Sequence, residues 1–349
     1  MDPTDQMRFD SAVRGELGRD SRRRVAAFFP DGPRSGRLMR LTVVLDSRNT
    51  PARLAQLALI CDHAGIDAVW VSDRLGQLAG ETGVEMSAAI ALAGQATQSA
   101  FIGGTFTLGD EQLAAALTRL ATNLGRRLAL GLRLPSGDAP SGDPAAALQH
   151  LIATCEHRLA RFTAGASAPL RLLPPLTLEL NEEQPRLSAA LCTRFADNAL
   201  IVAGPRGAPA VARADPRSPQ EWRTLLDAAC IAGGRDPTTL GLAAELPVSI
   251  GRTESEARAR ADVEPLFRET GPPREVGIFG TLEECQDRVI RLAHAGVTDL
   301  RCRLPNTPDA HDVIAQVTGM VVGRLDRLTP GAERSKPPDP PDWAGGQSA

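Results

Sequence analysis

Along most of this chain, short runs of apolar and β-branched residues alternate with longer stretches in which Leu, Ile, Val and Ala return every three or four positions. The first rhythm fits a buried strand, and the second fits a helix with one apolar stripe. The stretch from Leu38 to Arg74 holds the unit in full, as LMRLTVVL, RLAQLALICDHAG and DAVWVSD. It predicts a strand over 38–45, a helix over 50–64 and a strand over 67–72. Thr50 is placed to cap the helix, Pro51 to occupy its first turn and Gly65 to close it.

The alternation continues to residue 328. Strands are predicted at FIGGTFTL (101–108), RRLALGLR (126–133), PLTLEL (175–180), NALIVAG (198–204), TLGLAAELPVSI (239–250) and TDLRCRL (298–304). Pro247 marks an irregularity in the long one. Helices are predicted at 85–98, from Asp110 to Gly125, from Asp143 to Phe162, at 184–196 and at 218–232. Three more follow, at ESEARARADVEPLFRE, 280–296 and 309–328. Strands separated by helical crossovers are parallel and right-handed. Eight such units predict an α/β fold, a closed (β/α)8 TIM barrel over 37–329. Its flanks are an Arg- and Asp-rich extension (1–36) and a Pro/Gly-rich tail (330–349), both expected to be disordered. One internal echo stands out: CDHAGIDAVW resembles AHAGVTDLR, each a helix end, a Gly cap and a strand. His63 and His294 there suit a helix C-terminus better than a reaction.

Composition narrows the picture further. A net charge of −3 argues against a general nucleic-acid binder, and no run reaches the apolar length of a membrane span. SRRRVAAFF near the start lacks the long apolar region that export needs, so a cytoplasmic protein is expected. The 6 cysteines are too far apart for a local metal or disulfide motif and read as reduced, mostly buried thiols. Among the 39 basic residues only Lys336 is a lysine, which reads first as coding bias.

In a barrel of this kind, chemistry belongs at the C-terminal ends of the strands. Those ends carry Asp46, Arg48, Ser72, Asp73, Arg74, Arg133, Glu179, Gly204, Arg206, Arg301 and Arg303, among others. Several arginines at one mouth suit an anionic ligand. The plainer reading is that Arg is the commonest charged residue here and lines loops everywhere. No His falls at a strand end, and no HxH, HExxH, GxSxG or GxxxxGK[ST] motif occurs, so no metal site is expected. Gly103 and Gly104 admit two uses: a backbone surface with Thr105 and Phe106 against a planar group, or tight packing of a helix.

DHAGIDAVWVSDR resembles the luciferase-like monooxygenase family, whose pattern runs from a helix ending in E-x-x-G-[FY]-D into V-W-V-S-D-H. FIGGTFTL is similar to that family's third strand. EQLAAALTRLATNLGRRLALGLR is similar to its A-T-L-D-x-L-S-x-G-R helix and fourth strand. ADNALIVAG and FGTLEECQDRVIRLAHAGVTDLRCRL resemble later segments. The resemblance implies a barrel that holds FMN or coenzyme F-420, a deazaflavin, at its mouth and transfers a hydride to a small organic substrate or oxygenates it. Many members are dimers, so a homodimer, or a heterodimer with a related barrel, is implied. It implies catalytic roles for Asp73 and Arg74. It also implies cofactor contacts from Gly103, Gly104, Thr105 and Phe106 and a cis peptide near Thr105–Phe106, while Arg133, Gly204 and Arg206 are expected to bind the cofactor where the usual contacts are altered. The sequence departs from the pattern at Arg74, where a His is common, and at Leu132–Pro135, Gly109–Gln112 and Asn198. The alternative is a non-catalytic barrel without cofactor, serving as a partner subunit or ligand-binding scaffold.

Overall fold

The computed structural model describes residues 39–73, 85–108, 113–134, 143–163, 174–202, 218–264, 267, 272–304 and 309–325. Nine strands form in chain order: β1 (Arg40–Asp46), β2 (Ala68–Ser72), β3 (Phe101–Thr107), β4 (Leu128–Arg133), β5 (Leu176–Glu179), β6 (Asn198–Val202), β7 (Gly241–Gly251), β8 (Ile278–Thr281) and β9 (Asp299–Arg303). The helices are α1 (Pro51–His63), α2 (Met86–Ala96), α3 (Leu113–Leu124), α4 (Pro144–Thr163), α5 (Pro185–Phe195), α6 (Pro219–Ala232), α7 (Glu254–Val263), α8 (Pro273–Val276), α9 (Leu282–His294) and α10 (Ala310–Leu325).

Eight strands close a parallel barrel in the order β1 to β7 and then β9, which returns to β1. The expected (β/α)8 barrel is therefore the fold. The ninth strand was not legible in the sequence. GIFG is short, and β8 pairs only with Val248–Gly251, the far half of β7. The near half of β7 pairs with β6 and β9 as far as Pro247, opposite Arg303. Pro247 has no N–H to give a ladder, and it sits where the strand leaves the barrel and takes up β8. The irregularity expected at this residue is that change of partner.

The helix ends follow the sequence signals. Thr50 Oγ1 accepts from the Arg53 N–H at 3.3 Å, and Asp143 Oδ1 accepts from the Ala145 N–H at 2.9 Å. Ser218 and Glu221 form a capping box. The expected cap at Asp110 lies outside the described residues. Gly65 (φ 73°) and Gly296 (φ 87°) take left-handed backbone at the ends of α1 and α9. There Ile66 N–H donates to Cys61 O at 3.0 Å and Val297 N–H to Leu292 O at 3.1 Å. The echo between the two segments is thus one repeated helix-to-strand turn.

The turn does a second job at the floor of the barrel. The residue that opens a strand ties down an amide at the start of its neighbour. Asp67 accepts from Leu41 N–H at 2.9 Å, Asp197 from Leu176 N–H at 2.8 Å, and Thr298 from Leu242 N–H at 3.1 Å. These bonds help fix strand register where the barrel is narrowest in choice. The main apolar core lies between strands and helices and includes Leu41, Val43, Val69, Val71, Ile102, Leu130, Leu178 and Leu300. The alternate residues of the same strands point into the lumen.

Candidate functional site at the barrel mouth

The lumen is polar for a barrel core. Val44, Trp70 and Ala129 form a small apolar cluster there, joined by Phe101. Around it stand Arg40, Thr42, Thr177, Glu179, Glu245, Asp299, Arg301 and Arg303, all buried. Arg301 occupies the middle, 1% exposed. Its Nε donates to Asp299 Oδ2 at 3.1 Å, and its Nη2 reaches Thr177 Oγ1 at 3.0 Å. Its guanidinium carbon lies 3.9 Å from the centroid of the Trp70 ring. Burial pulls its pKa down, and the Asp299 carboxylate beside it opposes that pull. Arg40, beneath it, is lowered to about 10 by burial, with Asp299 and Asp67 opposing and Arg301 adding to the fall. Arg303 is ion-paired with Glu245. Arg301 and Arg303, expected among the mouth arginines, are therefore lumen residues with partners of their own. The signal was present in DLRCR, where Asp299, Arg301 and Arg303 alternate onto one face of a strand covered on both sides.

Gly103 and Gly131 exist for Trp70. A Cβ on Gly103 would lie 2.3 Å from Trp70 Cζ3 and 2.7 Å from the Ala129 carbonyl oxygen. On Gly131 it would lie 2.7 Å from Trp70 Cζ2. Trp70 Nε1 then donates to Thr105 Oγ1 at 3.1 Å. Gly104 faces the other way, where a Cβ would meet Ile90 of α2 at 2.6 Å. Phe106, on the same face as Gly104, packs against the main core. Gly104 shows the tight packing against a helix that was one of the two expected uses, and Gly103 makes room for the chain's own indole. No peptide among the described residues is cis. The cis bond expected near Thr105–Phe106 is corrected: β3 keeps regular register with β4, Thr105 opposite Gly131 and Phe106 opposite Leu132.

At the rim, three strand ends come together. Arg133, closing β4, donates from Nη2 to Thr107 Oγ1 at 3.2 Å and stands 3.7 Å from Asp73 Oδ1, just past β2. The side chains of Arg133 and Asp73 are 15% and 30% exposed, so both open to the mouth. Asp46 ends β1 and holds Arg48 through Nε at 2.9 Å and Nη2 at 2.7 Å. The structure thus brings together Asp73 and Arg133 from the expected set and adds Thr107, a strand-end residue to which the sequence had given no role. Its position across from Arg133 in the β3–β4 register was the available signal. Arg74, Gly204 and Arg206 lie outside the described residues. No group of three or more His, Cys, Asp or Glu among the described residues is placed to hold a metal ion.

The rim's donors, a guanidinium and hydroxyls from Thr105 and Thr107, suit an anionic group such as a phosphate or a reduced ring. On that chemistry the residues present fit a flavin or deazaflavin.

No protein-family model matches the chain, and no curated protein resembles it in sequence. Solved structures do resemble it. A coenzyme F-420-dependent tetrahydromethanopterin reductase from Methanopyrus kandleri is 14% identical, with TM-score 0.60, over 82% of this chain and 99% of that one. A monooxygenase from Streptomyces bottropensis is 14% identical, with TM-score 0.59, over 84% and 99%. The oxygenating constituent of 3,6-diketocamphane monooxygenase from Pseudomonas putida, in complex with FMN, is 12% identical, with TM-score 0.56, over 82% and 99%. At these identities the likeness is one of fold.

Proposed function

We propose that this barrel is an oxidoreductase of the luciferase-like kind, holding FMN or coenzyme F-420 at its C-terminal mouth and acting on a small organic substrate. The observation that carries the reading is the Asp73–Arg133–Thr107 cluster at the ends of three adjacent strands. It stands in a fold shared with barrels that carry those cofactors in their names or complexes.

In this reading Arg133 and the Thr105 and Thr107 hydroxyls bind the anionic part of the cofactor, and Asp73 orients Arg133. Arg74 and Arg206 supply further positive charge, and Gly204 admits close approach of the backbone. A bound flavin or deazaflavin supplies the redox chemistry. The protein's share is positioning, charge complementarity and exclusion of water. A dimer of barrels remains part of the proposal.

Fluorescence titration with FMN and with coenzyme F-420 tests this. Saturable binding of one of them is expected, weakened about tenfold or more in Arg133→Ala by loss of a charged hydrogen bond. Binding of neither overturns it and favours the second reading, a non-catalytic scaffold. That reading also has an observation behind it: the rim and lumen cations Arg133, Arg48 and Arg303 are already paired with the chain's own carboxylates.

A further inference from the structure

The segment that leads from β7 to β9 builds a second charged cleft outside the barrel. It encloses a cavity of about 210 Å³ whose walls carry Arg274, Phe279, Glu284, Asp287, Arg288 and Arg291. None of these residues belongs to the strands that close the barrel. Phe279, 5% exposed, carries the guanidinium groups of Arg258 and Arg274 over its ring at 5.1 and 5.7 Å.

Charge in the cleft is unbalanced toward positive. Three guanidinium groups line it against two carboxylates. Glu284 is already committed, accepting from Thr281 N–H at 2.8 Å and pairing with Arg274 at 3.1 Å. Arg274 also pairs with Glu254 at 3.0 Å. Arg288 and Arg291 stand three residues apart on α9, hence on one face. Arg288 Nη2 donates to the Glu275 carbonyl at 3.1 Å, but its buried Nε–H has no acceptor among the described residues. The Arg291 side chain makes no hydrogen bond or ion pair among them. Arg291 is exposed, so water serves its donors, and the two neighbouring cations can be joined by an anion in the cleft. Burial chiefly, and Arg291 after it, lower the Arg288 pKa.

We propose that this cleft binds a phosphate group, free or as a monoester of a small molecule, through Arg288 and Arg291, with Arg274 lining the same cavity. The planar guanidinium fork matches phosphate oxygens two at a time. A cavity of about 210 Å³ lies below the roughly 300–1,000 Å³ of drug-sized sites, so the occupant is small. The proposal is independent of the reading of the barrel mouth.

Calorimetric and thermal-shift titrations of the full chain, with sodium phosphate and separately with glycerol phosphate, test it. Ionic strength is held constant with chloride. Saturable binding is expected for at least one probe, and the tighter one identifies the source. Arg291→Gln, a change at an exposed side chain, weakens that binding about tenfold or more. It leaves melting without phosphate unchanged. Arg288→Gln weakens phosphate binding likewise as a second variant, and Arg133→Ala at the barrel mouth leaves it intact. Three results overturn the proposal. They are no saturation up to about 10 mM, which is weaker than any specific site of this kind; undiminished affinity in Arg291→Gln; or loss in Arg133→Ala, which assigns the anion to the mouth.

Discussion

Trp70, on β2, meets residues of β3, β4 and β9 at once. It fills the space left by two glycines on neighbouring strands, donates to Thr105 and lies against the Arg301 guanidinium. Gly103→Ala places a methyl group into the indole and the Ala129 carbonyl at once. A loss of about 1–3 kcal/mol is expected from such overpacking, read as a lowered denaturation midpoint. An unchanged midpoint would show that the indole can move aside. The pair FIGG advertised a close approach, but sequence alone could not say what approached. The answer lies 33 residues earlier in the chain, on another strand. Asp62, at the end of α1, shows a second residue effect. Burial works to raise its pKa, but hydrogen bonds from Gln98, Ser99 and Ala100 outweigh that and bring it down to about 2. A carboxyl lowered on folding stabilises the native state above its ordinary pKa of about 3.9, and loses that contribution as pH falls through the folded value. Asp62→Asn should therefore lower the melting temperature at pH 5 and above, and the gap to the parent should close between about pH 4 and pH 2. A gap of constant size across that range would contradict this.

At the scale of elements, the near absence of lysine acquires a structural use. Arg235, between α6 and β7, donates to the carbonyls of Cys192, Thr193 and Ala196 at 3.3, 3.0 and 2.7 Å. It closes the C-terminal end of α5 and also reaches Thr239. Arg127 does the same for α2 through Gly94 and Thr97. Nη1 alone serves those three carbonyls while Nε and Nη2 hold Thr239, and a single ammonium cannot reach both sets at once. Arg235→Ala should cost at least about 2 kcal/mol through orphaned carbonyls, and Arg235→Lys should recover only part of it in chemical denaturation. The elements themselves were legible because hydrophobic period and caps agreed from Thr50 to Ser218. What could not be read was where one strand changes partner. Nothing local in ELPVSIG says that its second half pairs with four residues beyond α8. That pairing is non-local, and Pro247 gave its position but not its meaning.

For the whole molecule, the barrel was legible and its interior was not. Eight alternating units dictate closure, whereas a polar lumen contradicts the apolar filling that such folds usually receive. The rim was legible in part: Asp73 and Arg133 meet as neighbouring strand ends, and Thr107 follows once register is known. All six cysteines are buried and none forms a disulfide. Burial pushes Cys192 and Cys285 up to about 12, and raises Cys61 and Cys302 as well. Ellman's reagent at pH 8 should find no fast thiol in the native protein and all six after denaturation. Thiol release should then track global unfolding, and a rapidly reacting thiol in the folded protein would contradict it.

Arg301 also sets a bound on how such a chain can have arisen or can be rebuilt. It belongs to β9, yet it is held by Thr177 on β5 and by Trp70 on β2. The turn around Gly65 and the turn around Gly296 are near copies, so the outer frame tolerates duplication. The axis does not. A barrel assembled from two copies of one half would hold either two guanidinium groups face to face at its centre or none. Symmetry in this molecule is a property of its joints, and the buried guanidinium at the middle is what makes the two halves different parts.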